Sequence, residues 1–423
     1  MSAFAVHDTL RDDFPYVRTR RLDAQRWLLD ATIRQLGVDW DQGRSRYLAA
    51  ACGVDAEGDF ARVRERVRKF ADIEPAFAGA AGRREALADA AAADGRQVAE
   101  REHAFVAAVL WGAAQWPLFG NSPRNLAYGD RKVACYQRFV AHAPHPVERI
   151  EIPFGDRTLP AYLHLPRAHR GAHPCVVQVG GMDSFKEHLV ALYGDRFLER
   201  GIARLTFDGP GQGESLNRAL FATAENVADA GRAVIDRVRS HPAIDPLRIG
   251  LAGVSFGSFW ATRIAAGVDG LAGCATAMAM HEPGMRTLFE QASPTYKARF
   301  MYLSGFTDED AFDAFAASLT LADAASGVTC PYLAVAGEAD DLSPIEHTWR
   351  VFDSLGGSRE LVLYQGEKHG IAGGPAAALG PDRDDLVAEW FVDRFAGIPA
   401  EDRLRYVDVT GRVTEQPLPG GRA

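Results

Sequence analysis

Cysteine is scarce and scattered. The five residues, Cys52, Cys135, Cys175, Cys274 and Cys330, are odd in number and form no CxxC pair, which argues against a disulfide framework and a structural zinc site. No stretch approaches the ~18 uninterrupted apolar residues that a membrane-spanning helix needs. The N-terminus, MSAFAVHDTLRDDFPYVRTRR, lacks the charged-then-apolar order of a signal peptide, so a cytoplasmic location is expected. Positive charge is in deficit, 47 Lys and Arg against 56 Asp and Glu, for a net charge of −9. The arginines are scattered among acids, so neither nucleic acid nor an anionic membrane is an expected partner. There is no HExxH or clustered His and carboxylate spacing, and hence no expected metal. The 41 glycines and 22 prolines exclude a collagenous or low-complexity chain.

What is present is a globular composition, with 47% hydrophobic residues over 423 positions, enough for two or three units at ~150 residues each. Residues 1–145 read as a helical domain: apolar residues recur at three- and four-residue spacing over 61–70, 83–107 and 133–141. Its aromatics, Trp27, Trp40, Trp111, Trp116 and Phe119, are expected in a packed core. Its apolar face has two partners open to it, the rest of the chain or a second copy in a homodimer. HAPHP, residues 142–146, breaks the pattern as a linker.

From Val147 the period changes. VERIEIPF and RTLPAYLHLP alternate as an antiparallel pair, and then PCVVQVGG, ARLTFDG, LRIGLAG, CATAMAM, CPYLAVAG and ELVLYQG alternate with helical patterns. This predicts a mostly parallel, eight-stranded sheet covered by helices, the order of an α/β-hydrolase domain over 146–397. Residues 281–329 are too long for a plain crossover and predict a helical cap between strands 6 and 7. The end, 398–423, predicts a short hairpin and a loose tail finishing PLPGGRA.

Gly253-Val254-Ser255-Phe256-Gly257 follows a predicted strand and precedes a predicted helix. A strand turning sharply into a helix crowds the flanking residues, so they must be small, and it pushes the central hydroxyl out at the helix N-terminus. A serine so placed needs a base and an orienting acid, in the order Ser, acid, His. His369, in GEKHG after the last predicted strand, is the expected base; His347 falls inside a predicted helix, and His281 is expected to line the pocket. GEADD offers Asp340 as the acid, with Asp341 in reserve. The oxyanion donors expected are the Phe256 amide and one from GGMDS, either Met182 or Gly181. Asp208-Gly-Pro-Gly-Gln-Gly-Glu214-Ser215 lacks the GxGxxG register and a Walker lysine, so it reads as a structured loop with Asp208 bonding backbone. No cofactor is expected.

Together GGMDSFKE, FDGPGQGES, GVSFG and GEADD resemble a subgroup of α/β-hydrolases that includes 2,6-dihydroxypseudooxynicotine hydrolase, fungal polyketide-shortening hydrolases and the fermentation-respiration switch proteins. The resemblance covers about 130–397 and implies Ser255 as nucleophile, Asp340 as acid and His369 as base. It also implies a carboxylate near the start of the cap that positions a polar substrate, where Glu282 fits; a salt-bridged cap glutamate is the competing reading. Some such proteins cleave a carbon–carbon bond beside a ketone; others act on esters or transfer acyl groups. The expectation is therefore a serine hydrolase acting through an acyl-enzyme on a bulky small molecule, with Trp260 and the cap aromatics around it. Carbon–carbon hydrolysis of a β-dicarbonyl, acyl-phenol or polyketide-like compound comes first. An esterase, an acyltransferase or cyclase, and a noncatalytic binding protein on a hydrolase scaffold are the alternatives.

Overall fold

The computed structural model describes residues 17–167 and 171–418; most of the stretch read for a signal peptide and the end of the expected tail lie outside them. Up to the first strand the described chain is helical. Its longer helices are α1 (Arg44–Cys52), α2 (Ile73–Ala93), α3 (Gln97–Gln115) and α4 (Pro123–Ala141). The continuous stretch expected over 83–107 is two helices. Gly95 takes φ +70°, while Arg96 N–H donates to Ala91 O at 2.8 Å and Gly95 N–H to Ala92 O at 3.0 Å. That paired bonding ends α2 and turns the chain into α3. Ser122 caps α4 by accepting from Asn125 N–H, with Pro123 in the first helical position. Over 104–115 every residue of α3 is buried, as befits a helix enclosed by α2, α4 and the loop after the third strand. Trp40, Phe70, Trp116 and Phe119 pack ring to ring. Trp27 departs from the expected core: it is 73% exposed.

Among the described residues the sheet has ten strands. They are β1 (Val147–Phe154), β2 (Arg157–His164), β3 (His173–Val179), β4 (Ala203–Phe207), β5 (Ile244–Val254), β6 (Gly273–Ala277), β7 (Tyr332–Gly337), β8 (Arg359–Tyr364), β9 (Arg403–Val407) and β10 (Val413–Pro417). Their order is β1-β2-β4-β3-β5-β6-β7-β8-β9-β10. The pairings β1–β2, β2–β4 and β9–β10 are antiparallel and the others parallel. The first eight are the expected strands; the expected C-terminal hairpin is β9–β10, added to the β8 edge and pinned there by Arg403 on buried Glu360. Every residue of β3, β6, β7 and β8 is buried, which explains why they read as short unbroken apolar runs.

Helices α5 (Asn226–Arg239) and α6 (Phe256–Ala266) flank β5, and the interval between β6 and β7 carries α7 (Pro294–Ser304) and α8 (Glu309–Ala317). After them come α9 (Ile345–Ser354) and α10 (Arg383–Phe395). One apolar cluster runs from Phe77 and Phe105 through Leu163 and Phe256 to Phe300 and Phe312, so the N-terminal helices share their core with one sheet face and the cap. The other face is covered by α10 through Trp390 and Phe391. No described helix is long and apolar enough to cross a membrane.

Candidate active site

β5 and α6 meet at Ser255, whose φ of +53° and ψ of −126° are strained for a residue with a side chain. The glycines around it are there for space. A Cβ on Gly253 would stand 2.5 Å from Gly257 O, and one on Gly257 would stand 2.4 Å from Val179 O. No side chain fits either gap, so the strand–helix turn closes only with glycine. Two more residues with side chains take positive φ nearby, Met278 after β6 and Ile371 just past His369.

Ser255 Oγ lies 2.8 Å from His369 Nε2, and His369 Nδ1 lies 2.9 Å from Asp340 Oδ2. An ionised carboxylate only accepts, so Nδ1 carries the hydrogen and Nε2 is left to accept from the serine hydroxyl. Asp340 is fixed in turn: its Oδ1 accepts from the amides of Leu342 and Ser343 at 2.8 and 3.0 Å. Asp341, the reserve, points outward to Lys368 at 3.1 Å. The side chains of His369 and Asp340 are 4% and 1% exposed, so their bond is shielded from water.

The amides expected to face an oxyanion differ in their hydrogen bonding. Gly181 N–H donates to Ser184 Oγ at 2.9 Å and is engaged, whereas the Met182 and Phe256 amides donate to no acceptor among the described residues. Gln212 Nε2 holds the same loop, donating to the carbonyls of Gly180 and Gly181 at 3.0 Å each. Beneath it Asp208 accepts from Lys186 N–H and Glu214 N–H at 2.8 Å and from Lys186 Nζ at 2.9 Å. Burial raises the Glu214 carboxyl, but Lys186 and Arg149 outweigh it and hold the group at about 2. These residues were quoted in the motifs, yet Gln212 and Lys186 had no assigned role; only folding shows what they hold.

The pocket residues divide. Trp260 joins Met182, Phe256, Phe300, Leu303 and Val227 around a narrow, mostly apolar cavity of about 20 Å³, partly open to solvent and with room for about one water. His281 does not line it. Its ring bonds Tyr332 Oη and Thr348 Oγ1 at 3.1 Å each, and burial lowers it to about 3, which keeps it neutral. Glu282 is also turned away: it accepts from Thr287 N–H at 2.8 Å and Thr287 Oγ1 at 3.0 Å, tying the first turn of the cap, with His347 Nε2 3.9 Å off. A wider cavity, about 550 Å³, lies beside His145, Tyr193 and Asp195 and is lined by none of Ser255, Asp340 and His369.

A family model described as "Esterase FrsA-like" matches residues 85–307, more than half of the chain, a span that includes Gly253–Gly257. The chain belongs to the FrsA-like esterase family. Similar curated proteins include the α/β hydrolase xenA of Xenoacremonium sinensis, 31% identical over 54% of this chain and 56% of that protein. Another is 2,6-dihydropseudooxynicotine hydrolase of Paenarthrobacter nicotinovorans, 32% identical over 50% of this chain and 56% of that protein. The chain thus spans a little over half the length of these relatives. The solved structure of 2,6-dihydroxy-pseudo-oxynicotine hydrolase superposes with a TM-score of 0.72 at 25% identity, over 84% of this chain and 99% of that one. The α/β-hydrolase fold of this FrsA-like chain therefore includes its N-terminal helices in the likeness.

Proposed function

We propose that this FrsA-like chain is a serine hydrolase that works through an acyl-enzyme. The observation that carries the reading is the bonded line Ser255–His369–Asp340, at 2.8 and 2.9 Å, beside two uncommitted amides on Phe256 and Met182. His369 Nε2 takes the Ser255 proton as Oγ attacks a carbonyl carbon. The oxygen then gains charge where the two amides point, and α6 adds the positive end of its dipole.

Collapse breaks the bond from the carbonyl carbon to the leaving atom. Protonated His369 returns the proton to that atom, an ester oxygen or the carbon of a stabilised enolate, and water, deprotonated by the same ring, releases the acid. Carbon–carbon hydrolysis of a β-dicarbonyl or acyl-phenol is the first reading, because such a leaving carbon is a stabilised carbanion that one histidine can protonate. The apolar lining on the Phe256–Met182 side, with Glu282 occupied elsewhere, favours an uncharged acyl portion. Acyl transfer is the second reading, favoured by a narrow cavity with room for about one water.

The test is product analysis with matched substrates, a β-diketone and an ester bearing the same acyl group, with and without an added alcohol or amine. Release of acid and ketone from the diketone supports carbon–carbon hydrolysis. Turnover of the ester alone overturns it in favour of an esterase, and an acylated nucleophile supports transfer.

A further inference from the structure

Asp183 directly follows Met182, and its carboxylate is where two arginines meet, one from the N-terminal flank and one from the cap flank. Arg44, at the start of α1, donates through Nη2 to Asp183 Oδ2 at 2.9 Å. Arg299, on cap helix α7, donates through Nε to Asp183 Oδ1 at 3.2 Å. Arg44 also pairs with Asp41 at 2.9 Å and lies over the Trp116 ring at 3.7 Å. The same two flanks are bonded again where Gln42 Nε2 donates to Tyr296 Oη at 2.9 Å. Little of this cluster is wet: the side chains of Arg44 and Asp41 are each 2% exposed, Asp183 10% and Arg299 11%.

We propose that Asp183 is a positioning residue that makes the Met182 oxyanion donor depend on closure: the amide is held in place only while the N-terminal helices, through Arg44, and the cap, through Arg299, are both seated on this carboxylate. The inference rests on Ser255 being the nucleophile. Gln212 holds the carbonyls of Gly180 and Gly181, Ser184 bonds Gly181 across the turn, and Asp208 holds Lys186 N–H further on; the side chain next to Met182, Asp183, ties the middle of the loop to the two arginines. Two positive and two negative charges balance in the cluster, and a buried ion left without its partner is strongly unfavourable, so the contacts form and break as a unit. The cavity beside Met182 and Phe256 is partly open to solvent and narrow, about 20 Å³, and a shift of Phe300 and Leu303 of α7 would widen it for a substrate. Arg299 precedes Phe300 in the same helix turn, and the movement that opens the cavity draws Arg299 off Asp183. The open enzyme then has a loosened oxyanion loop, and closing over the substrate restores it, so acylation waits until water is excluded.

The experiment is fluorophosphonate inactivation at several probe concentrations, separating the limiting rate, kinact, from the half-saturating concentration, KI. It compares wild type, Asp183→Asn, Arg299→Gln, Arg299→Lys and the double variant Asp183→Asn/Arg299→Gln, with thermal melting alongside. The expected result is a fall of about tenfold or more in kinact for Asp183→Asn and Arg299→Gln with KI within about threefold. The double variant is no slower than the slower single one, as for residues acting as a unit. Arg299→Lys, which keeps one donor and the charge, recovers to within about threefold of wild type. Wild-type kinact in both single variants, whatever their melting temperature, overturns the proposal and leaves a purely structural ion cluster. If Asp183→Asn does not fold, the two Arg299 variants decide the matter alone. An adduct on Ser255 with unaffected variants removes only the positioning role, whereas no adduct on wild-type Ser255 removes the nucleophile reading and this inference with it.

Discussion

Gln212 Nε2 lies 3.0 Å from the carbonyl oxygen of Gly181, the residue whose amide is bound by Ser184 and whose neighbour Met182 presents a free one. The contact crosses from the loop after β4 to the loop after β3 and fixes the peptide that leads into Met182. Gln212→Ala should therefore lower kcat on the order of 10²-fold, the size of losing one oxyanion donor, with KM changed little. Steady-state kinetics on any turned-over substrate checks it, and an unchanged kcat would detach Gln212 from the chemistry.

The two adjacent aspartates should separate cleanly. Asp340→Asn removes the acceptor that fixes the His369 hydrogen on Nδ1 and should reduce kcat on the order of 10³–10⁴-fold. Asp341→Asn loses only an exposed contact to Lys368 and should stay within about twofold of wild type. A large loss in Asp341→Asn would reassign the acid.

Gly257→Ala places a methyl carbon 2.4 Å from Val179 O and 2.5 Å from Gly180 O, both backbone atoms in the core. Relief requires moving β3 or α6, at a cost of about 4 kcal/mol or more. Chemical denaturation should show that loss, or no folded protein at all; a stable and active variant would mean the elbow is looser than described.

Acid should destabilise the protein well before its carboxylates titrate. Burial lowers His281 to about 3 and His188 to about 4, so each is neutral when folded, while the unfolded chain takes up a proton near 6.5. A group with a depressed folded pKa that gains charge on protonation costs stability as pH falls below its unfolded value, and the cost grows until the folded pKa is reached. The urea midpoint should drop between pH 7 and pH 5, and His281→Asn should show a shallower drop. A flat profile in wild type would contradict neutral burial.

Trp260, the bulkiest residue lining the apolar cavity, shares it with Leu303 and Val227. Trp260→Leu should raise the preference for longer over shorter acyl chains by about tenfold in the ratio of kcat/KM values. Measuring that ratio across an ester series checks it, and an unchanged ratio would place the acyl chain elsewhere.

Much of the site was readable because its signals are local. The elbow needs small residues two before and two after Ser255, and His369 and Asp340 each sit on a loop just past an apolar run that could only be a buried strand. The partners of His281 and Glu282 were not legible because position past β6 does not say which way a side chain points; packing bonds one to Tyr332 and Thr348 and the other to Thr287. The break at Gly95 carried a signal, a glycine just past a helix end, but the alanine-rich run before it masked it. Asp183 was invisible in its role, since its partners Arg44 and Arg299 are 139 and 116 residues away. The hairpin β9–β10 was legible as a hairpin, whereas its joining to β8 depends on long-range pairing that no local pattern encodes.

Intact-mass analysis after fluorophosphonate treatment tests whether Ser255 is an activated nucleophile. One adduct is expected on the folded wild type, absent from Ser255→Ala and strongly slowed in His369→Ala. A folded wild-type protein that takes no adduct from either a small or a bulky probe, or an adduct that persists in Ser255→Ala, would contradict that role.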